Sequence, residues 1–234
     1  MSGAPEDSQR TVVFVGCVVA LFTAAFGFIL RAQLLDAFGA EFGLTGAQQG
    51  TILGAGVWPF AITIVAFSLT LRRLGGRGTL GIAALLHAAS VLRLVTARDY
   101  YDLWLGAVLG SLGDGTVEAV INPLVARLYP RAKTKWLNIL HAGWPFGLCL
   151  GAVCAAVGSG IDWRWLLALP VLPLLLYCAL LLTRRLPAVE EPIQGLDATT
   201  TANRPTVHPL RVTGGLGMAL LFGLLVAECG RVAG

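Results

Sequence analysis

The sequence contains few charged residues, and this scarcity excludes an ordinary soluble domain. Asp, Glu, Lys and Arg make up 13% of the 234 residues, whereas they make up about a quarter of a typical soluble domain. Hydrophobic residues make up 56% of the chain, and the mean hydropathy is +0.75. The composition therefore indicates an integral membrane protein.

The chain also lacks the usual signatures of metal, disulfide and nucleic-acid chemistry. None of its five cysteines forms a CxxC pair, and each lies in or beside an apolar run. We interpret them as small buried hydrophobic residues, and we predict no metal and no cofactor. The net charge of +4 is not accompanied by a basic groove or a stacking motif, which argues against a nucleic-acid partner.

Long apolar runs are abundant, and six of them are close to the roughly 20 residues that a helix needs to cross a bilayer. They cover residues 12–30, 51–71, 79–97, 103–128, 137–157 and 165–183, and a shorter run covers 212–226. The first run lacks the basic leader and small-residue cleavage site of a signal peptide. We predict an all-α integral membrane fold with a cytoplasmic N-terminus (1–10), a six-helix transmembrane bundle (11–186), a cytoplasmic linker (187–211) and an incomplete seventh helix (212–234).

The basic residues predict the orientation of these helices. They concentrate after the second, fourth and sixth helices: Arg72, Arg73, Arg77, Arg127, Arg131, Lys133, Lys135, Arg184 and Arg185. Cytoplasmic loops carry an excess of lysine and arginine, so these loops and the N-terminus are predicted to be cytoplasmic. We expect the protein to reside in a bacterial cytoplasmic (inner) membrane.

Two apolar runs carry the polar residues that predict a functional site. Asp114, Glu118 and Asn122 follow one another at four-residue spacing and so share one face of the fourth helix. The fifth helix begins with Asn138 and His141. An ionisable group in hydrocarbon costs roughly 2.5 to 3.5 kcal/mol or more, so it faces a partner or a wet cavity. Counting depth along the helices puts the two carboxylates on a cavity route and the other three residues in an inner cluster.

Each of these residues admits a structural interpretation beside the functional one. Glu118 accepts hydrogen bonds from the hydroxyls of a solute or takes up a proton, or it bonds to the neighbouring helix. Asp114 serves likewise or bonds only to a backbone. For Asn122, Asn138 and His141 an interhelical hydrogen-bond network is favoured over direct solute contact. His141 also permits a proton relay.

Other polar and aromatic residues leave their role open. Arg31 either snorkels at the outer interface, or lies in the cavity as a fixed cation for an anionic solute or a partner for Asp114. His87 is expected to pack as a lone histidine in the core. Trp58 and Trp144 offer flat faces to a sugar ring or pack within the bundle. A further prediction is a helix-packing face of small residues on the fifth helix, made of Gly143, Gly147 and Gly151.

Six helices, a linker and a further helix resemble the first half and hinge of the major facilitator superfamily, and within it the sugar permease branch that includes fucose/proton symporters. The resemblance covers residues 11 to about 186. Phe42 to Gly50 looks like the branch's entry to the second helix, where Thr45 can cap the helix N-terminus. Its most specific residues are Glu118, Asn122, Pro123, Leu137, Asn138, Gly143 and Gly147.

The sequence departs from this family at two places. In the loop after the second helix, Ser68 replaces the pattern's glycine and Arg72 replaces its acid. Beside Arg31, Ala32 lies where the resemblance implies the aspartate of proton-coupled symporters. Both departures remove groups that the family uses for gating or proton coupling.

The resemblance implies transmembrane transport of a small polar solute, a sugar, by alternating access, with a coupling proton as a further partner and membrane lipid around the helices. The chain is expected to supply the N-terminal half, so that alone it transports nothing and requires a C-terminal six-helix half. The alternative is a non-transporting truncated product or a half-transporter subunit. An enzyme is not expected, because Ser159 lies in a predicted external turn with no histidine at its depth.

Overall fold

Helices make up the secondary structure throughout the part of the chain that the computed structural model describes, residues 4–184 and 186–187. In chain order they are α1 Ala4–Gln33, α2 Leu35–Phe42, α3 Gly46–Ala55, α4 Trp58–Val95, α5 Tyr100–Leu128, α6 Lys133–His141, α7 Gly143–Val157, α8 Trp163–Ala168, α9 Val171–Tyr177 and a π-helical turn Cys178–Leu182. The predicted linker and seventh helix lie outside the described residues, apart from Pro187.

These helices form six membrane-spanning segments, as the apolar runs predict. Five are long and apolar enough to cross a membrane: Ser8–Gln33, Gly46–Phe67, Arg73–Val95, Lys133–Val157 and Trp163–Leu182. The sixth is α5, whose 29 residues extend about 43 Å at 1.5 Å per residue. Asp114 and Glu118 lie near its middle and lower its hydropathy. Thus the most polar span is also long enough to cross.

Two local signals decide where the second span begins and ends. A capping box begins α3 at Gly46, because the Thr45 hydroxyl accepts a hydrogen bond from the Gln48 backbone N–H and Gln48 Oε1 accepts one from the Thr45 N–H. The span therefore begins five residues before the predicted residue 51, and the predicted cap at Thr45 is confirmed. Gly75 interrupts α4 with φ 67° and ψ 164°, values open to glycine, and so separates the second span from the third.

The contacts between helices show that successive spans run in alternating directions. Arg10 donates to the Leu128 carbonyl while Arg31 lies beside Asp114, so α1 and α5 are antiparallel. The part of α4 after Gly75 is also antiparallel to α5, since Ser90 donates to the Gly106 carbonyl at 2.7 Å and His87 meets Asp114. These contacts bring the end of α1 and the later part of α4 to the middle of α5.

The predicted glycine face of the fifth span is confirmed, and it packs against α1. Gly143, Gly147 and Gly151 are all buried. A Cβ at Gly147 would lie 2.8 Å from both the Phe22 carbonyl oxygen and the Ala25 Cβ. The two helix backbones therefore approach closely, because α7 has glycines without side chains at these three positions.

Replacing Gly147 by alanine is expected to destabilise the bundle relative to the same replacement at Gly50. A Cβ at Gly50 meets nothing within 4 Å, so Gly50→Ala reports the helix-propensity gain, up to about 1 kcal/mol. Gly147→Ala adds overpacking, typically about 1–3 kcal/mol. Thermal denaturation of both variants in detergent measures the difference. Equal stability of the two variants would contradict a close α1–α7 contact.

Candidate functional site

A buried carboxylate, Asp114, lies at the centre of the described bundle with two basic partners. Its Oδ1 is 2.9 Å from His87 Nε2, and its Oδ2 is 3.7 Å from Arg31 Nη2. Asp114, His87 and Arg31 are only 4%, 6% and 8% exposed. Because an unpaired charge is costly in an apolar interior, the arginine and the aspartate stabilise each other there.

Two glycines of α5 make room for these partners. A Cβ at Gly110 would lie 2.8 Å from Arg31 Nη1 and 2.9 Å from Ser90 Oγ, and one at Gly113 would overlap the His87 ring. Both glycines therefore lie at close contacts between helices. The glycines leave one side of α5 open, so the long arginine and the imidazole reach the carboxylate from two different helices.

A fourth residue, Tyr177 at the end of α9, completes the cluster. Its hydroxyl lies 3.2 Å from His87 Nδ1, and the whole side chain is buried. His87 thus has a hydrogen-bond partner on each ring nitrogen. We call Arg31, Asp114, His87 and Tyr177 the central network; it joins α1, α4, α5 and α9.

A small cavity adjoins the central network. It offers about 20 Å³ to the centre of a water-sized molecule, enough for about one water. Its polar lining comes from Thr23, Arg31, His87, Ser90 and Asp114. Arg31 Nη2, which contributes to this lining, has no hydrogen-bond partner within the described part of the chain. A polar cavity with an available donor is suited to hydration.

Glu118 lies on α5 one helical turn beyond Asp114, about 6 Å along the axis. Its carboxylate is half-buried, and Oε2 accepts a hydrogen bond of 3.4 Å from Asn122 Nδ2. It also interacts electrostatically with His141 and Asp114. Unlike Asp114, Glu118 has no arginine partner in the described residues, so its acceptor positions are available to a ligand.

The interhelical network expected from Asn122, Asn138 and His141 is wrong. Asn138 and His141 are exposed, and no hydrogen bond links Asn122 to either of them in residues 4–184. Asn122 instead donates to Glu118 on its own helix, and its Oδ1 is buried without a partner there. Asn138 and His141 remain exposed although His141 is near enough to Glu118 for an electrostatic interaction.

Two expectations about basic residues are also corrected. Arg31 does not snorkel at an interface, because it is buried and pairs with Asp114, the cavity alternative that the sequence left open. His87 is not a lone packing histidine, since both of its ring nitrogens have polar partners. The sequence carried one sign of close packing around Asp114: a glycine lies on each side of it, at positions 113 and 115.

The two candidate tryptophans differ in their surroundings. Trp58, at the start of α4, is 51% exposed and free to contact a solute or another helix. Trp144 is half-buried, and its ring centroid lies 6.5 Å from that of Phe28. The structure therefore places Trp58 on the open side of the bundle and Trp144 in a packing contact with α1.

Away from the central network, Glu41, Trp163 and Arg164 form a contact between α2 and α8, which we call the surface clasp. Arg164 Nη2 lies 2.6 Å from Glu41 Oε1, and Trp163 Nε1 donates to Glu41 Oε2 at 2.5 Å. The Arg164 guanidinium also lies 4.1 Å from the centre of the Trp163 ring. These contacts stabilise the connection after the first span against the start of the sixth.

The clasp is expected to weaken in acid. Hydrogen bonds from Arg164 and Trp163 lower the pKa of Glu41. A carboxyl whose folded pKa is depressed contributes stability above its unfolded pKa, about 4.3, and loses it as the pH falls through the folded value. Melting curves of the wild type and Glu41→Gln should therefore differ at pH 6, and the difference should shrink as the pH falls below about 4.3. A difference that does not shrink in acid would contradict this role of Glu41.

No group of three or more His, Cys, Asp or Glu side chains comes together to hold a metal ion within the described ranges. The described cysteines, Cys17, Cys149, Cys154 and Cys178, are free thiols.

Comparison with solved structures identifies transporters that share the fold of this chain. The xylose transporter XylE of E. coli, in its inward-open form, superposes with a TM-score of 0.66 at 16% identity, over 76% of this chain and 48% of XylE. A bacterial homologue of the human lysosomal transporter Spinster gives 0.62 at 18% identity, over 78% and 44%. A bacterial homologue of the human peptide transporters PepT1 and PepT2 gives 0.62 at 14% identity, over 95% and 49%. No curated protein sequence matches the chain.

The chain thus spans about half the length of the transporters whose fold it shares. At these identities the superpositions show the fold alone. The sequence itself matches the Major Facilitator Superfamily over residues 12–229, which includes all six described spans. The chain is therefore an integral membrane protein that belongs to the Major Facilitator Superfamily.

Proposed function

We propose that this protein contributes one six-helix bundle to a transporter that moves a small polar solute, a sugar, across the membrane by alternating access. The observation that carries the proposal is the half-buried Glu118 one turn from a fully buried charged network in the middle of the bundle. Transporters of this general kind place solute and coupling-ion sites near the bilayer midplane, between two bundles. The role that we propose is transport, and it includes no enzymatic activity.

Glu118 is the residue best suited to bind the solute. Its carboxylate can accept several hydrogen bonds, and Asn122 supplies only one of them, at 3.4 Å. Hydrogen bonds from neutral hydroxyls to a carboxylate are strong and directional, which suits a polyhydroxylated solute. The neighbouring amide of Asn122 and the exposed ring of Trp58 supply the donor and the flat apolar face that sugars need.

The solute class is supported by one of the structural relatives. XylE is described as a xylose transporter and as a proton:xylose symporter. Another relative is a homologue of peptide transporters, so dipeptides are the competing solute class. The Glu118 carboxylate can accept hydrogen bonds from hydroxyl groups, and no second unpaired charge lies near it in the described residues. Both features favour a neutral solute such as a sugar.

A second six-helix bundle, in the same or another chain, is part of this proposal. Trp58, Asn138 and His141 are exposed in the described bundle, and we propose that they contribute to the wall of a site that the second bundle completes. We further propose that the N-terminus and the segment 187–211 face the cytoplasm of a bacterial inner membrane, as the basic loops predict. A non-transporting product of the same bundle is the alternative function.

Uptake by proteoliposomes tests the proposal. The isolated chain should give no saturable uptake of pentoses, hexoses or dipeptides. The second preparation is the tagged chain purified from its source membranes together with any bundle that it binds. After the same reconstitution, this preparation should take up a sugar saturably. Saturable uptake by the isolated chain would contradict the need for a second bundle. Uptake of dipeptides alone would contradict the sugar assignment, and no uptake by either preparation would support the non-transporting alternative.

A further inference from the structure

We propose that the turn from α5 into α6 binds the headgroup of an anionic phospholipid, with Arg131 and Lys133 as the binding side chains. This lipid site is separate from the transport function, because it requires neither a solute nor a second bundle. The turn lies at the end of the bundle where α1 begins, since Arg10 donates to the Leu128 carbonyl. We call residues 127–136 the basic turn.

The basic turn carries charge of one sign. No Asp or Glu occurs between Glu118 and Asp162. No ion pair to Arg131 or Lys133 is present in the described part of the chain. Exposed positive charge without counterions attracts an anion. The basic residues of the turn, all of them exposed, are Arg127, Arg131, Lys133 and Lys135.

Neighbouring segments at the same end of the bundle add to this charge. Arg77 donates to the Leu182 carbonyl, so the start of the third span lies beside the end of the sixth. The basic residues outside the turn at this end are Arg10, Arg72, Arg73, Arg77, Arg184 and Arg185. The acidic residues that flank the same spans in the sequence are fewer: Glu6, Asp7, Glu190 and Glu191. The excess positive charge is therefore a property of the whole end.

Two stacked aromatic rings give the basic turn a fixed shape. The ring centroids of Tyr129 and Trp136 are 4.0 Å apart, and the ring planes differ by 12°. The chain therefore folds back on itself between them, and Arg131 and Lys133 lie in the part that folds back. Phe14 of α1 contacts both rings edge-on, with centroid distances of 5.6 and 4.9 Å. A turn that is ordered in advance loses less entropy when it binds a ligand.

The same rings place the basic turn at the depth of lipid headgroups. Tyrosine and tryptophan favour the interface between hydrocarbon and water, and Tyr129 and Trp136 are half-buried directly after a span. A phosphate at this depth can accept two parallel hydrogen bonds from Arg131 and a further one from Lys133. A zwitterionic lipid also carries an amine, which these cations repel. The charge of the turn therefore favours an anionic lipid.

Native mass spectrometry of the whole chain tests the proposal after equilibration in detergent with equal amounts of phosphatidylglycerol and phosphatidylcholine. The wild type should retain phosphatidylglycerol in preference. Arg131→Gln combined with Lys133→Gln should lower the retained ratio of the two lipids roughly 30-fold, about five-fold for each basic residue removed. Equal retention of both lipids by the wild type, or an unchanged ratio in the double variant, would overturn the proposal.

Arg73→Gln combined with Arg98→Gln is the matched control, because it removes the same charge from exposed positions. Arg73 lies at the same end of the bundle and Arg98 at the opposite end, so this variant should keep the wild-type ratio. An equal fall in both double variants would overturn the site, since net charge alone would then explain it. If the first double variant does not fold, Arg131→Gln and Lys133→Gln singly should each lower the ratio about five-fold.

The competing occupant of the basic turn is the acidic pair Glu190 and Glu191, which follows the sixth span in the sequence. Glu190→Gln combined with Glu191→Gln should keep the wild-type preference for phosphatidylglycerol. If the preference is absent in the wild type and is present only in this variant, the acidic pair covers the turn and the lipid site is wrong. These measurements use no solute, so their failure would leave the transport proposal intact, and an absence of sugar uptake would leave the lipid site intact.

Discussion

Asp114→Asn is expected to destabilise the bundle by about 3–5 kcal/mol, the usual cost of removing one partner of a buried ion pair. Asparagine has nearly the same shape, and its side-chain oxygen still accepts the hydrogen bond from His87 Nε2. The change removes the charge and puts an amide NH2 donor where Oδ2 faced Arg31, so it leaves the 8%-exposed Arg31 without a counterion. Thermal and denaturant unfolding of the purified chain in detergent measure the loss.

Asp102→Asn is the matched control for this variant. Asp102 is equally buried, at 5%, and its carboxylate lies 2.8 Å from Arg93, whose side chain is 42% exposed. Water solvates that arginine when its partner is lost, so the expected cost is about 1 kcal/mol or less. Arg31→Met in the Asp114→Asn background should recover most of the stability. If Asp114→Asn costs no more than Asp102→Asn, the buried pair does not stabilise this fold.

Glu118→Gln is expected to abolish uptake at low solute concentration in the reconstituted assembly while the bundle stays folded. A hydrogen bond to a charged group contributes about 1.5–3 kcal/mol, so losing one weakens solute binding roughly 10- to 150-fold. Glutamine preserves the side-chain length and an acceptor for Asn122 Nδ2. Because Glu118 is half-buried and has no ion-pair partner among the described residues, its replacement should barely change the melting temperature.

Concentration-dependent uptake in proteoliposomes measures this loss, and Glu41→Gln provides the matched control. Glu41 lies in the surface clasp, where it binds Arg164 and Trp163, so the same chemical change there should leave uptake kinetics unaltered at neutral pH. Normal uptake by Glu118→Gln would exclude the binding role proposed for this carboxylate. A large fall in its melting temperature would instead indicate a structural role.

Much of the fold could be predicted because membrane-spanning helices are local. A run of apolar residues of sufficient length becomes a helix whatever its neighbours are, since its backbone must satisfy its own hydrogen bonds in lipid. The capping box at Thr45 and the glycine face of α7 are equally local, and both are present. The span boundaries were less accurate, because caps and a kink such as Gly75 move them by several residues.

The candidate site was predicted only in part. Four-residue spacing correctly put Asp114, Glu118 and Asn122 on one helix, but it did not indicate which of them meets a partner. The contacts of His87 with Asp114 and Tyr177 were not predicted, because His87 lies 27 residues from Asp114 along the chain and Tyr177 lies 90 residues from His87. Their pairing depends on how four helices are rotated about their axes, which hydropathy does not report.

The sequence by itself determined that this is an all-α membrane protein with six apolar spans and a carboxylate-bearing fourth span. These properties follow from composition and spacing, which act over a few helical turns. The tertiary structure alone decided that Arg31 and His87 converge on Asp114, whereas Asn138 and His141 face outward. The reason is that Gly110 and Gly113 carry no side chain, so two other helices approach α5 closely on that side. This close packing buries the site.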